Sequence, residues 1–201
     1  MFMFKKKTTI ILFFLLLYQS PLLSKSISFE KLNSKNLSKY FSGIVAFENK
    51  NNTEALNFFK SSKILINKHD PYLRRLVISL VLEGKVAEAI NTIKTSGNKD
   101  NLDFFEVYVL LALENFKKDN IHKAIEILAD VPEFLQKERF DFIILNSLKQ
   151  YAYVFNNKII KKEKNDFGNL SFIAETFQRC YLNDKNTNSF FLKLINDSQA
   201  D

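Results

Sequence analysis

Small and large apolar residues recur along the chain at a nearly constant interval. Three amphipathic stretches carry a small residue followed four positions later by a large apolar one: Ala55 with Phe59, Ala89 with Ile93, and Ala124 with Leu128. The alanines are 34 and then 35 residues apart (89 − 55 and 124 − 89). Such a period is typical of helix pairs that stack because one pair cannot bury its apolar face alone. The pattern therefore predicts helix-turn-helix repeats.

The same register predicts where the first helix of each pair is crossed closely by the second. If each alanine is position 20 of its unit, the units span 36–69, 70–104 and 105–132. Position 8 then holds the residues Gly43, Val77 and Ala112. The chain has only four Gly and three Pro, so turn signals are few and long periodic stretches dominate. The scarcity of Gly and Pro and the long periodic stretches both favour an all-α fold.

These residues also carry a resemblance to a known family. The 34-residue period, the pairing of Gly43 with Ala55, the stretch EGKVAEAI and the spacing Tyr108-x-x-Leu111-Ala112 resemble tetratricopeptide (TPR) repeats. The resemblance covers the three units and implies a short right-handed α-solenoid. Three positions depart from the family pattern: Lys39, Val77 and Asn115. A helical bundle without repeats is the alternative architecture.

The C-terminal third follows the pattern less closely. Residues 133–201 are predicted to form degenerate helical repeats, with continuation into a longer protein as an alternative to an end here. One long helix is predicted from Lys137 to Asn157, and two shorter ones at 170–182 and 187–196. The polar stretch at 159–168 is the predicted linker.

Residues 1–26 have the three parts of a signal peptide. A positive region at Lys5–Lys7 precedes nine apolar residues, Ile10–Tyr18, and Ser24 and Ser26 occupy the −3 and −1 positions of a cleavage site. A run of nine is short for a membrane span, which needs about 20 residues. The sequence therefore predicts export, to the periplasm of a double-membraned bacterium. The alternative is a retained leader that anchors the protein in the inner membrane through residues 8–23.

The positive charge does not point to nucleic acid. The formal net charge is +7, but four of the 29 basic residues lie in the first 26 positions, which hold no acid. The remainder carries 25 basic and 22 acidic residues, a balance of +3. Proteins that bind nucleic acid cluster Lys and Arg on one face with aromatic residues between them. No such cluster is visible in this sequence.

The residue types that carry catalysis are sparse. His69, expected at a solvated turn, and His122, expected to be exposed, have no metal-ligand partner at helical spacing. Four glycines form no phosphate-binding loop. Cys180 is the only cysteine and is expected to be a half-buried structural thiol, or else to pair between molecules. We therefore expect no enzymatic activity, no cofactor, no metal and no small-molecule substrate.

The resemblance implies a binding surface instead. In TPR arrays, the first helices of the pairs line a concave groove. The candidate residues in this chain are Tyr40, Ile44, Phe47, Arg74, Ile78, Val81, Val109 and Phe116. Only Arg74 could imitate one part of the family's carboxylate clamp, whereas an apolar groove suits an amphipathic helix or an apolar peptide. Alternatively, residues 27–33 or the C-terminal helices cover this groove from within the chain.

The expected function is that of an exported TPR-type scaffold that binds a protein or peptide partner in the bacterial cell envelope. The first alternative is a helical accessory region of a longer enzyme that acts on the cell wall. The second is a membrane-anchored assembly factor, which requires that the leader is retained.

Overall fold

The structure is a computed structural model, and it describes residues 33–66, 69–96, 102–136, 139–162 and 167–197. Throughout these ranges the regular structure is helical, so the all-α expectation is confirmed. The nine α-helices of this part are α1 Ser34–Glu48, α2 Asn52–Ser61, α3 Asp70–Leu82, α4 Val86–Thr95, α5 Phe105–Lys117, α6 Ile121–Ala129, α7 Arg139–Asn157, α8 Asn169–Tyr181 and α9 Thr187–Asp197. The predicted signal peptide lies outside the described residues.

Local signals in the sequence set the helix starts. The Asn33 side chain accepts a hydrogen bond from the backbone N–H of Lys35 at 3.0 Å, which caps α1. Asn51 does the same for the N–H of Glu54 at 3.3 Å and caps α2. These bonds satisfy N–H groups that have no partner inside the helix. Pro71 lies in the first turn of α3, where its missing N–H costs nothing.

Four helix-to-helix turns share one geometry. The second residue after the first helix of each pair has a positive φ: Lys50 (61°), Gly84 (71°), Asp119 (58°) and Asn183 (55°). The next N–H then reaches back five residues, for example from Lys85 to the Leu80 carbonyl at 2.8 Å and from Asp184 to the Arg179 carbonyl at 2.9 Å. This is the Schellman pattern, which turns the chain sharply at a helix end. The pairs α1–α2, α3–α4, α5–α6 and α8–α9 therefore turn in the same way.

The small residues of the 34-residue pattern lie in the core. Ala55, Ala89 and Ala124 are fully buried, and so are the large residues four positions later. Gly43, Val77 and Ala112, on the first helices, are buried as well. Packing runs mainly between neighbours along the chain, with α1 on α2, α2 on α3, α3 on α4, α5 on α6, α6 on α7 and α8 on α9. The contacts of α4 with α5 and of α7 with α8 are smaller.

Charged side chains supplement the small contact between α4 and α5. Oε2 of Glu114 in α5 lies 2.6 Å from Nζ of Lys94 in α4, and Oε1 of Glu114 lies 2.6 Å from Nζ of Lys118. Hydrogen bonds from Lys118 and Lys94 lower the pKa of Glu114 below its usual value. A depressed carboxyl pKa contributes stability above the unfolded pKa of about 4.3, and this contribution is lost as the pH falls through the folded pKa.

We therefore expect Glu114→Gln to destabilise the protein at pH 7 by at most about 1 kcal/mol, since solvent screens both lysines. The difference from the parent should shrink between pH 7 and pH 3, because protonation of Glu114 as the pH falls through its folded pKa removes the charge that both lysines bond. Thermal unfolding at both pH values checks this, with Glu133→Gln, at an exposed position, as a control for loss of one acidic charge. A difference that persists unchanged at pH 3 would assign the loss to packing and not to charge.

Candidate functional site

An apolar cleft lies between α3, α5 and α7. Ile78 and Val81 of α3, Val109 and Leu113 of α5, and Ile144 of α7 line it, and its volume is about 430 Å³. Within α3 and α5 the lining residues are three or four positions apart, which places them on one stripe of each helix. The cleft is therefore built by the periodicity of the first helices of the second and third units, together with α7.

A second cleft of about 420 Å³ adjoins the first. It lies between α5, α7 and α8, and Leu113 is part of both clefts. Its other lining residues are Phe116, Leu148, Tyr151, Val154, Phe155, Phe177, Gln178 and Tyr181. The two clefts together are called the apolar groove below. Leu113, at their junction, is 45% exposed.

One ion pair crosses the α3 end of the groove. Arg74 Nη2 lies 2.7 Å from Oε1 of Glu106, which itself lines the first cleft. The Arg74 charge is therefore already matched by a carboxylate of the same chain. This arrangement does not suit the capture of a peptide's terminal carboxylate, in agreement with the sequence interpretation.

The predicted surface residues are distributed over two regions. Ile78, Val81 and Val109 line the first cleft, and Phe116 lines the second. The Phe116 ring also contacts the Phe155 ring of α7, with centroids 5.7 Å apart, so the chain covers part of it.

The predicted residues of α1 lie apart from the groove. Ile44 and Phe47 are half-buried and pack against the core to which α1–α5 contribute. Neither residue lines either of the two clefts.

Tyr40 was wrongly predicted to be a surface residue. It is 1% exposed, and its ring packs against Phe59 and Tyr72 at centroid distances of 5.9 and 5.8 Å. Its hydroxyl accepts a hydrogen bond from Arg75 at 2.5 Å and lies 3.1 Å from Nε2 of His69. A buried tyrosine needs a partner for its hydroxyl, and these two side chains supply it. His69 is correspondingly half-buried and not the solvated turn residue expected.

A second tyrosine of this cluster is buried with its hydroxyl satisfied. The Tyr72 hydroxyl donates to the Phe59 carbonyl, and burial raises the pKa of Tyr72 above its usual value. Both observations indicate a structural role. A phenol with a raised pKa keeps its proton near neutral pH, and here that proton is held in a hydrogen bond to the backbone.

The groove residues of α7 and α8 were not found from the sequence. Ile144, Leu148, Tyr151 and Phe155 follow one another at spacings of four, three and four, which is the periodicity that identified α3 and α5. That signal could have placed α7 in the groove. The α8 residues Phe177 and Tyr181 are four positions apart and carry the same local periodicity. That spacing does not show which helices α8 packs against, because the linker before α8 breaks the register of the repeats.

The described side chains form no recognisable catalytic or metal site. Within the described ranges, no group of three or more His, Cys, Asp or Glu is placed to hold a metal ion. Cys180 is exposed on α8, and this corrects the expectation of a half-buried thiol. None of the helices in the described part has both the length and the apolar character needed to cross a membrane.

Comparisons with protein-family models, with curated proteins and with solved structures find no match to this chain. The function must therefore be argued from the apolar groove and from the sequence pattern that builds it.

Proposed function

We propose that the protein is a non-enzymatic scaffold of tetratricopeptide type that binds a protein or peptide partner in the apolar groove. The observation that carries this proposal is the junction of two apolar clefts at Leu113, on side chains held by four helices. Apolar surface that faces water is unfavourable, by about 25 cal/mol per Å² relative to burial. Contiguous exposed patches of this kind mark interaction sites more often than isolated exposed residues do.

The stacked-repeat architecture is part of the same proposal. Three units bury the same positions, four helix pairs turn through the same backbone geometry, and packing runs mainly between chain neighbours. In a solenoid each repeat contacts its neighbours and the first helices face one surface. The side chains of α3 and α5 that line the first cleft fit this arrangement.

The geometry of the groove favours an amphipathic helix as the partner. Two adjoining apolar clefts can receive two apolar anchors that lie one or two turns apart on such a helix. The acidic Glu106 is engaged by Arg74, so the contribution of charge at that end is small. A binding site on the helices of a scaffold holds its shape better than one on loops.

The cellular location proposed is the bacterial envelope. This rests on residues 1–26 alone, whose charged, apolar and small-residue regions follow the order of a signal peptide. The N-terminal residue of the protein isolated from its own cells tests it, and cleavage after Ser26 would leave Ile27 as the first residue. A retained Met1 or Phe2 would instead favour the membrane-anchored alternative.

The groove is tested by a photo-crosslinking amino acid placed at Leu113 in the producing cells. A matched chain carries the same amino acid at Leu192, an exposed leucine of α9 that lines neither cleft. We expect a discrete crosslinked partner from position 113 that is missing from position 192. Equal labelling at both positions would contradict a groove partner.

We further expect Leu113→Asp to weaken binding of the partner identified in this way by at least about tenfold. Loss of a buried leucine removes about 1.5–3 kcal/mol, and each 1.4 kcal/mol is a factor of ten in Kd. Leu192→Asp should leave the affinity unchanged. Titration of the purified variants measures both, and unchanged binding by Leu113→Asp would sink the proposed site.

A further inference from the structure

Another cleft, of about 530 Å³, lies between α6 and α7 and shares none of its described lining residues with the apolar groove. Ile125 and Leu128 of α6 and Ala152 of α7 form part of its apolar lining. Two lysines line the same cleft, Lys149 of α7 and Lys161 of the linker that follows α7. This cleft is called the lysine cleft below.

The periodicity of the two helices brings these side chains together. Ile125 and Leu128 are three residues apart on α6, and so are Lys149 and Ala152 on α7, which places each pair on one face of its helix. α6 packs on α7, and both Leu128 and Ala152 belong to the core that these helices share. Lys149 is half-buried at the edge of this apolar contact.

Two buried glutamines hold the backbone of Lys161 at the cleft. Gln178 Oε1 accepts a hydrogen bond from the Lys161 N–H at 2.9 Å, and the Gln150 amide donates to the Lys161 carbonyl. Buried side-chain amides lose their water, and these bonds offset part of that loss while they fix the linker at this residue. The Lys161 ammonium lies 5.0 Å from the centroid of the Tyr153 ring, which also lines the cleft.

The two lysines of the cleft are not matched by acidic groups. Lys94 pairs with Glu114 across the contact of α4 and α5, whereas neither Lys149 nor Lys161 forms an ion pair in the described part of the chain. Burial and the nearby charge of Lys161 lower the pKa of Lys149 below its usual value. An anion that enters the cleft would therefore stabilise both ammonium groups.

The lining of the lysine cleft suits a carboxylate that carries an apolar chain. Phosphate sites commonly use Arg side chains or the N–H groups of a helix N-terminus. The described lining of this cleft contains no Arg, and Lys149 lies in the middle of α7, far from its first turn. Lysine supplies a compact positive charge, and the apolar lining below it can bury an alkyl chain.

We propose that the lysine cleft is a binding site for a short-chain alkyl carboxylate. The carboxylate lies between the ammonium groups of Lys149 and Lys161, and the alkyl chain packs against Ile125, Leu128 and Ala152. The protein then has a small-molecule site in addition to the apolar groove. The inference stands independently of the partner proposed for that groove, because the two sites share no described lining residue.

The test is isothermal titration calorimetry of the full chain with octanoate and with octanol, which has the same chain length and no charge. Lys149→Met and Lys161→Met each remove one charge and keep an unbranched side chain. The matched control is Lys35→Met, at an exposed position of α1 outside the cleft. Thermal unfolding checks that each variant is folded. Lys149→Met should be at least as stable as the parent, because it removes a half-buried charge that lies near a second one.

We expect the parent to bind octanoate at least about tenfold more tightly than octanol, and each lysine variant to lose about tenfold in octanoate affinity. Lys35→Met and the groove variant Leu113→Asp should bind octanoate like the parent. No octanoate binding by the parent, equal affinity for octanol, or unchanged affinity in either lysine variant would overturn the proposal. A loss in Leu113→Asp would also overturn it and would place octanoate in the apolar groove. Octyl phosphate that binds tenfold more tightly than octanoate would overturn the assignment to a carboxylate.

Discussion

The Ala89→Arg variant is expected to lose about 3–5 kcal/mol of unfolding free energy. Ala89 is fully buried in α4, which packs on α3, and its neighbours in the core are apolar. The guanidinium would be buried without a partner or would force the two helices apart. Either outcome combines overpacking with the cost of an unpaired charge.

The matched control for this variant is Ala87→Arg, two residues earlier in the same helix. Ala87 is exposed, so the same side chain should change the free energy by no more than about 0.5 kcal/mol. Urea unfolding followed by circular dichroism at 222 nm measures both variants, and Ala55→Arg repeats the test in the first unit. Parent-like unfolding of Ala55→Arg and Ala89→Arg would show that the proposed repeat register is wrong.

The pattern of small residues predicts the core correctly because burial acts on each unit in the same way. Where two helices cross closely only a small side chain fits, so the sequence must keep one at that place in every unit. Ala55, Ala89 and Ala124 satisfy this requirement and are all fully buried. Periodicity of this kind can be read from the sequence alone, and it is visible even where the individual residues differ between units.

The shared turn shows where local information ends. Gly84 is the only glycine among the four residues with positive φ that close the helix pairs; the others are Lys50, Asp119 and Asn183. The left-handed conformation costs most L-residues roughly 1–2 kcal/mol and Asn and Asp less, so sequence propensity predicts it best at Gly84 and least at Lys50. The other turns are held by the backbone bond that closes each helix end and by the packing of the two helices.

Tyr40 illustrates a different limit. Its position in the repeat predicts a surface residue, but the structure supplies two partners for its hydroxyl, His69 and Arg75. These are 29 and 35 residues away in sequence, so no local pattern reveals the pairing. The apolar groove could likewise be predicted only in part, because α7 and α8, which complete it, belong to a part of the chain that has no repeat register.

Gly43→Ala is expected to destabilise the protein by up to about 2 kcal/mol, although alanine is the better helix former. A Cβ at residue 43 would lie 2.7 Å from Cε1 and 2.9 Å from Cδ1 of Phe59. The Phe59 ring is fully buried and packs against Tyr40 and Tyr72, so it has little room to move. Overpacking costs about 1–3 kcal/mol, while the helix propensity of alanine returns only about 1 kcal/mol.

The later units of the chain indicate how this loss can be relieved. There the crossing pairs a larger residue at position 8 with a smaller one at position 24, as Val77 with Ile93 and Ala112 with Leu128. Adding Phe59→Leu to Gly43→Ala should therefore cost less than the sum of the two single changes. A double-mutant cycle by urea unfolding measures this coupling, expected to be at least about 0.5 kcal/mol for residues in contact. If Gly43→Ala matches or exceeds the stability of the parent, then residue 43 is not the close crossing point of α1 and α2, and its glycine has no packing role.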